Sequence, residues 1–278
     1  MKIISFTKHF MNRLLAFVYF YKAEFLRTSK SVEHMLFLFL PIPVTLLSIS
    51  GWVYKTHDQY LSVSNNDLHK NVWQHIIRSG FLLDIFIIPL LFIFLIVYHI
   101  DTDYKRSIWR YSMTIPFATS LLLPAKQLVL YTWFIVQITL LFTVFVSLPF
   151  ILPYANPQIP EFASHAFPTS VLFLLLAKYS INMLALLVFQ TTFSFILPNR
   201  PTVMVLLPIV SFVSLFGFTP YNCAPYSIFK IVLYDTRKEY FGENLVFLTK
   251  YELFTLITLC LFFAFSYKLR FNLLKKKI

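Results

Sequence analysis

An all-α membrane fold with six transmembrane helices is predicted by three features of the sequence: its apolar runs, its composition and the placement of its charges. The runs span Met35–Tyr54, Phe81–Ile100, Leu128–Leu152, Val171–Leu197, Pro201–Phe218 and Tyr251–Tyr267. A hydrocarbon core of about 30 Å needs roughly 20 apolar residues in a helix. The first and third runs carry no charge, and the second and fourth carry one each, Asp84 and Lys178. A core helix of a soluble domain would show a polar stripe on its water side, and none of these does. The composition agrees, being 58 % hydrophobic, 13 % charged and 19 % aromatic, with a mean hydropathy of +0.70. Six spans consume nearly half of the 278 residues, leaving no room for a sizeable soluble domain. Any chemistry that needs one must come from another chain.

The net charge of +12 is a topology signal before it is a partner signal, and it does not imply nucleic acid. With the amino terminus inside, the inner segments (1–34, 101–127, 198–200 and 268–278) hold sixteen Lys or Arg, and the outer ones (55–80, 153–170 and 219–250) hold seven. The positive-inside rule therefore places both termini in the cytoplasm. Cys223 and Cys260 lie too far apart along this topology to suggest a bridge, and they form no metal or redox pattern. The apolar run Leu14–Tyr21 mimics a signal peptide, but Lys22-Ala-Glu24 follows it in place of a small-residue cleavage site, so it is expected to be retained.

Residues 1–34 form an amino-terminal segment, 35–269 the six-span domain and 270–278 a basic tail. In the first of these, Phe6, Phe10, Leu14, Phe17, Tyr21 and Phe25 recur at intervals of four or three, which predicts an amphipathic helix. With Lys8, Arg13, Lys22 and Arg27 among them, the helix is expected to lie against anionic membrane lipids. Pro41 and Pro43 in span one, Pro89 in span two and Pro208 in span five predict kinks.

The inner segment 101–127 departs from a bare connection. Asp101 or Thr102 can cap a helix, Ile108, Tyr111 and Ile115 fall on one face, and Pro116 stops the run. A short, basic, partly aromatic cytoplasmic helix is expected between spans two and three, suited to docking a partner. On the outer side, Lys55–Gly80 is polar; its His57, His69 and His75 lack the carboxylate or cysteine spacing of a metal site. Pro153–Pro168 reads as a stiff connection. The segment 219–250 is rich in Tyr and apolar residues and is expected to be re-entrant or to lie on the outer surface.

Lys178, with Asn182 one turn on and Gln190 on about the same side, either lines a translocation path or a subunit seam, or snorkels to the outer headgroups. Asp84 sits near the outer end of span two, where an interfacial role competes with a buried one. The chain carries only four glycines and no phosphate-cradling loop, no zinc-protease motif and no nucleophile elbow. No catalytic residue is assigned, and the chain is not expected to be an enzyme.

Two segments resemble a known family. Lys22-Ala-Glu24-Phe-Leu-Arg27-Thr-Ser-Lys30-Ser31, just before span one, and Asp103 through Pro116 to Lys126 are similar to the basic lead-in segment and the cytoplasmic loop of the membrane (permease) subunit of type-2 ABC exporters. The six-span layout fits as well. The family often has Glu at the position of Asp103 and an arginine shortly after the proline, where this chain has Ala118 and Thr119. The resemblance implies a multi-pass protein of the bacterial plasma membrane that forms half of an export path for an amphiphilic cargo (peptide, antibiotic, lipid or glycan). A second permease chain, identical or a sister, and a cytoplasmic ABC ATPase subunit are the implied partners. The chain itself holds no cofactor; ATP and Mg belong to the ATPase. The implied ATPase-coupling residues are Asp103, Lys105, Arg106, Trp109, Arg110 and Pro116. Glu24, Arg27 and Lys30 form the implied amino-terminal interface. An ion-driven secondary carrier and a non-transporting membrane scaffold remain the alternatives.

Overall fold

The computed structural model describes residues 2–62, 72–105, 118–155 and 167–196, together with residue 257. Spans five and six, the 219–250 segment and the basic tail lie outside those residues, apart from residue 257. The described regular structure is helical throughout: α1 (Lys2–Thr28), α2 (Val32–Phe39), α3 (Pro41–Ser62), α4 (Val72–Lys105), α5 (Ala118–Ala155) and α6 (Thr169–Ile196). Three stretches are long and apolar enough to cross a membrane: Val32–Gly51, which runs through α2 into α3, Pro124–Ala155 in α5 and Thr169–Thr191 in α6. They match predicted spans one, three and four. The second predicted span lies within α4, a helix of 34 residues, about 51 Å long at 1.5 Å per residue.

The helices form one bundle with α4 at its centre, packed on α2, α3 and α6, while α5 packs on α1, α2 and α6. The larger apolar core among the described residues runs through α2 to α6 and includes Phe37, Ile49, Trp73, Ile88, Phe92, Phe134, Phe145, Tyr179 and Met183. A smaller cluster of Leu38, Val129 and Trp133, with Tyr21 and Phe25 against it, seats α1 and α2 on α5. The bundle's outer surface is also apolar. Leu46, Leu47, Phe94, Val136, Phe150, Ile151 and Phe173 are all exposed, as expected for helices whose solvent is lipid. This is a multi-helix membrane protein.

Three local features differ from the sequence-based expectation. First, α3 and α4 extend well into the stretch predicted as a polar outer loop, and Trp73, Ile76 and Ile77 are fully buried there. Their i, i+3, i+4 spacing gives α4 an apolar face that packs before the membrane run begins. Second, α4 passes through Asp101 and Thr102 without a break. Thr102 does not cap a new helix; its hydroxyl donates back to Tyr98 O at 2.9 Å, a helix-interior bond. Third, the last part of the α1 face expected to meet lipid packs on the bundle instead. Tyr21 OH lies 3.1 Å from Thr132 Oγ1 and Phe25 stacks on Trp133 with centroids 5.1 Å apart, whereas Leu14 is exposed along with Met11, Leu15, Val18 and Tyr19.

Candidate functional site: a buried ion-paired junction

The ends of three helices meet at one end of the bundle around five polar side chains. Glu24 and Arg27 are three apart on α1, and His99 and Asp103 are four apart on α4, so each pair shares a helix face. Lys126 comes from α5. Glu24, His99, Asp103 and Lys126 are all buried, with Asp103 at 0 % exposure; only the Arg27 side chain, at 29 %, reaches toward solvent.

Glu24 Oε1 is the hub. It accepts from Arg27 Nη2 at 2.5 Å, His99 Nε2 at 2.5 Å and Lys126 Nζ at 2.6 Å. A carboxylate only accepts, so the short contact to Glu24 assigns a His99 proton to Nε2; Arg27 Nη2 lies beside the ring, 3.0 Å from Nε2 and 3.4 Å from Nδ1. Asp103 bridges the same two cations, with Oδ1 accepting from Arg27 Nη1 at 2.6 Å and Oδ2 lying 2.5 Å from Lys126 Nζ. Two carboxylates and two cations balance to zero with His99 neutral, the condition under which buried charges are tolerated.

The junction is roofed by α2 and α5. Trp133 Nε1 donates to Thr28 Oγ1 at 2.9 Å, and that hydroxyl donates to Phe25 O at 3.0 Å. His34 packs edge-on to His99 at 5.9 Å and lies 5.8 Å from Trp133, with its Nδ1 3.1 Å from Ser31 Oγ. Ser31 Oγ in turn bonds Glu33. Just beyond Lys126, Gln127 Nε2 donates to Thr191 Oγ1 at 2.6 Å and ties α5 to α6.

Glu24, His99 and Asp103 also place ligand atoms within 4.8 Å of one another, close enough for a metal ion. Arg27 and Lys126 already occupy both carboxylates, however. A dication there would have to displace them or leave two excess positive charges in a dry site. The arrangement works as an electrostatic clamp joining α1, α4 and α5.

Burial alone would raise the Glu24 carboxyl, but the hydrogen bond from His99 and the charges of Lys126, His99 and Arg27 prevail and lower it from 4.5 to about 2. A depressed carboxyl contributes stability that is complete above its unfolded value and disappears as pH falls through its folded one. The stability advantage of the wild type over Glu24→Gln, measured by thermal unfolding, is therefore expected to be full above pH 4.5 and to vanish toward about pH 2.

Of the residues singled out from sequence, Glu24, Arg27 and Asp103 come together here. Lys30 is exposed. Asp103 faces inward to the clamp, bonded to Arg27 and Lys126. Lys105 ends α4; Arg106, Trp109, Arg110 and Pro116 lie outside the described residues. Lys178, Asn182 and Gln190 all lie on α6, and Gln190 is fully buried. His99, Trp133, Thr28 and His34 were not singled out from sequence. The i, i+4 spacing of His99 and Asp103 at the end of an apolar run was the available signal.

Comparison of the chain with protein-family models, with curated proteins and with solved structures finds no match in any of the three.

Proposed function

We propose that this chain is the membrane subunit of an ATP-driven exporter of the type-2 ABC class, forming half of a path for an amphiphilic cargo and powered by a separate cytoplasmic ATPase. One observation carries the reading. The two segments that bear the family resemblance are remote in sequence, yet Glu24 and Arg27 of one meet Asp103 and Lys126 of the other in a single charge-balanced junction.

In this reading the junction lies at the cytoplasmic end, where the chain leaves α4 to form the coupling segment. A force applied by the ATPase just beyond Asp103 would reach α1, α4 and α5 together, because one carboxylate of each pair is held by the same two cations. Bonds to charged partners in a dry site resist separation better than surface pairs do. The amino-terminal helix would thus move with the two spans it is clamped to, and the spans would switch the path between inner and outer openings.

Charge reversal at Lys105, Arg106 and Arg110 tests the reading. The expected result is a folded, membrane-inserted chain that no longer retains an ATPase subunit and no longer transports. Unchanged ATPase association and transport would contradict it. An ion-driven carrier would instead lose transport on neutralising Asp84 or Lys178 while needing no ATPase.

A further inference from the structure

The break between α2 and α3 carries an inference that stands independently of the proposed function. Pro41 has no backbone N–H, so the carbonyl four residues earlier, that of Phe37, loses its helical donor. The preceding bond is intact, with Leu40 N–H reaching Leu36 O at 2.9 Å, and Leu40 keeps helical angles of φ −62° and ψ −36°. The helix is therefore interrupted by one missing donor and not by a turn. Phe37 is 2 % exposed and sits in the apolar core, where an unpaired carbonyl finds no water.

The missing donor comes from another helix. Gln137 of α5, itself fully buried, donates from Nε2 to Phe37 O at 3.0 Å. The opposite amide orientation would set two acceptors against each other, so this bond fixes the side chain. On the far side of the break, Thr45 Oγ1 donates to Pro41 O at 2.9 Å, a bond of the kind that bends helices. The packing around the break is shared: Leu38 of α2 belongs to the cluster with Val129 and Trp133 of α5, Phe37 stacks on Phe92 of α4 with centroids 5.6 Å apart, and α3 packs chiefly along α4.

We propose that Gln137 is a positioning residue that replaces the N–H Pro41 lacks, pinning α2 to α5 and leaving Pro41 as the pivot between α2 and α3. Membrane helices tolerate interior proline where a neighbour satisfies the freed carbonyl, and here the neighbour is a single side chain that can release it.

The test is a two-by-two comparison of wild type, Gln137→Met, Pro41→Ala and the double variant, in the full chain with Cys223→Ser and Cys260→Ser. Methionine keeps the length of glutamine without its donor. Nitroxide labels replace the exposed residues Val32 and Leu47, on either side of the break. Gln137→Met is expected to lower the unfolding midpoint by several degrees and to broaden the Val32–Leu47 distance distribution. Pro41→Ala is expected to reverse both effects, since the backbone N–H that alanine supplies there restores the bond to Phe37 O. Equal losses in the two backgrounds would assign Gln137 to packing alone and overturn the proposal, as would no loss in either. If Gln137→Met yields no folded protein, recovery of folded yield by Pro41→Ala supports the proposal and its absence overturns it. A Pro41→Ala chain that does not fold also overturns it.

Discussion

Glu24→Ala is expected to be among the most damaging single substitutions in the described part of the chain, costing about 3–5 kcal/mol. One oxygen of Glu24 takes bonds from Arg27, His99 and Lys126. Its removal leaves Lys126 buried beside a single remaining carboxylate, with an imidazole donor unsatisfied. Thermal or denaturant unfolding of the purified protein in lipid nanodiscs measures the loss. Lys30→Ala, at an exposed position six residues on, is the matched control and is expected to change stability by no more than about 0.5 kcal/mol. Comparable effects of the two substitutions would mean that the junction is not a clamp.

Lys126→Met is expected to cost a similar amount for the opposite reason. Glu24 and Asp103 would then share Arg27 alone, leaving one unbalanced negative charge in a buried site. Two further results are expected. The acid sensitivity attributed to Glu24, on the order of 3 kcal/mol for a carboxyl lowered from 4.5 to about 2, should flatten, because the ammonium that helps hold the carboxyl down is gone. Adding Asp103→Asn to Lys126→Met should restore charge balance, so the double variant should lose less than the two single losses combined. Additive losses would show that the two residues act separately.

The apolar runs made the membrane helices visible before any coordinates, because span length and hydropathy are local properties and lipid demands both. The 3-and-4 spacing from Phe6 to Phe25 likewise announced α1. Glu24, Arg27 and Asp103 fall in the two segments that carry the family resemblance. Their meeting was not visible in the sequence, since the pairs that join α1 to α4 and α5 are 72 to 102 residues apart. The helix start expected at Asp101 or Thr102 fails for a definite reason: an established hydrogen-bond ladder propagates through residues that would cap a new helix, and the Thr102 hydroxyl turns back to Tyr98. Gln137 was hidden by the opposite bias. In a run read as uncharged it drew no notice, although the prolines of span one had already implied a carbonyl in need of a donor.

Purifying the chain from its native membrane under mild conditions tests the central claim most directly. A nucleotide-hydrolysing subunit that accompanies it, with transport that stops when ATP is depleted, is the predicted result. A chain that emerges alone, from membranes whose transport continues without ATP, would contradict the assignment.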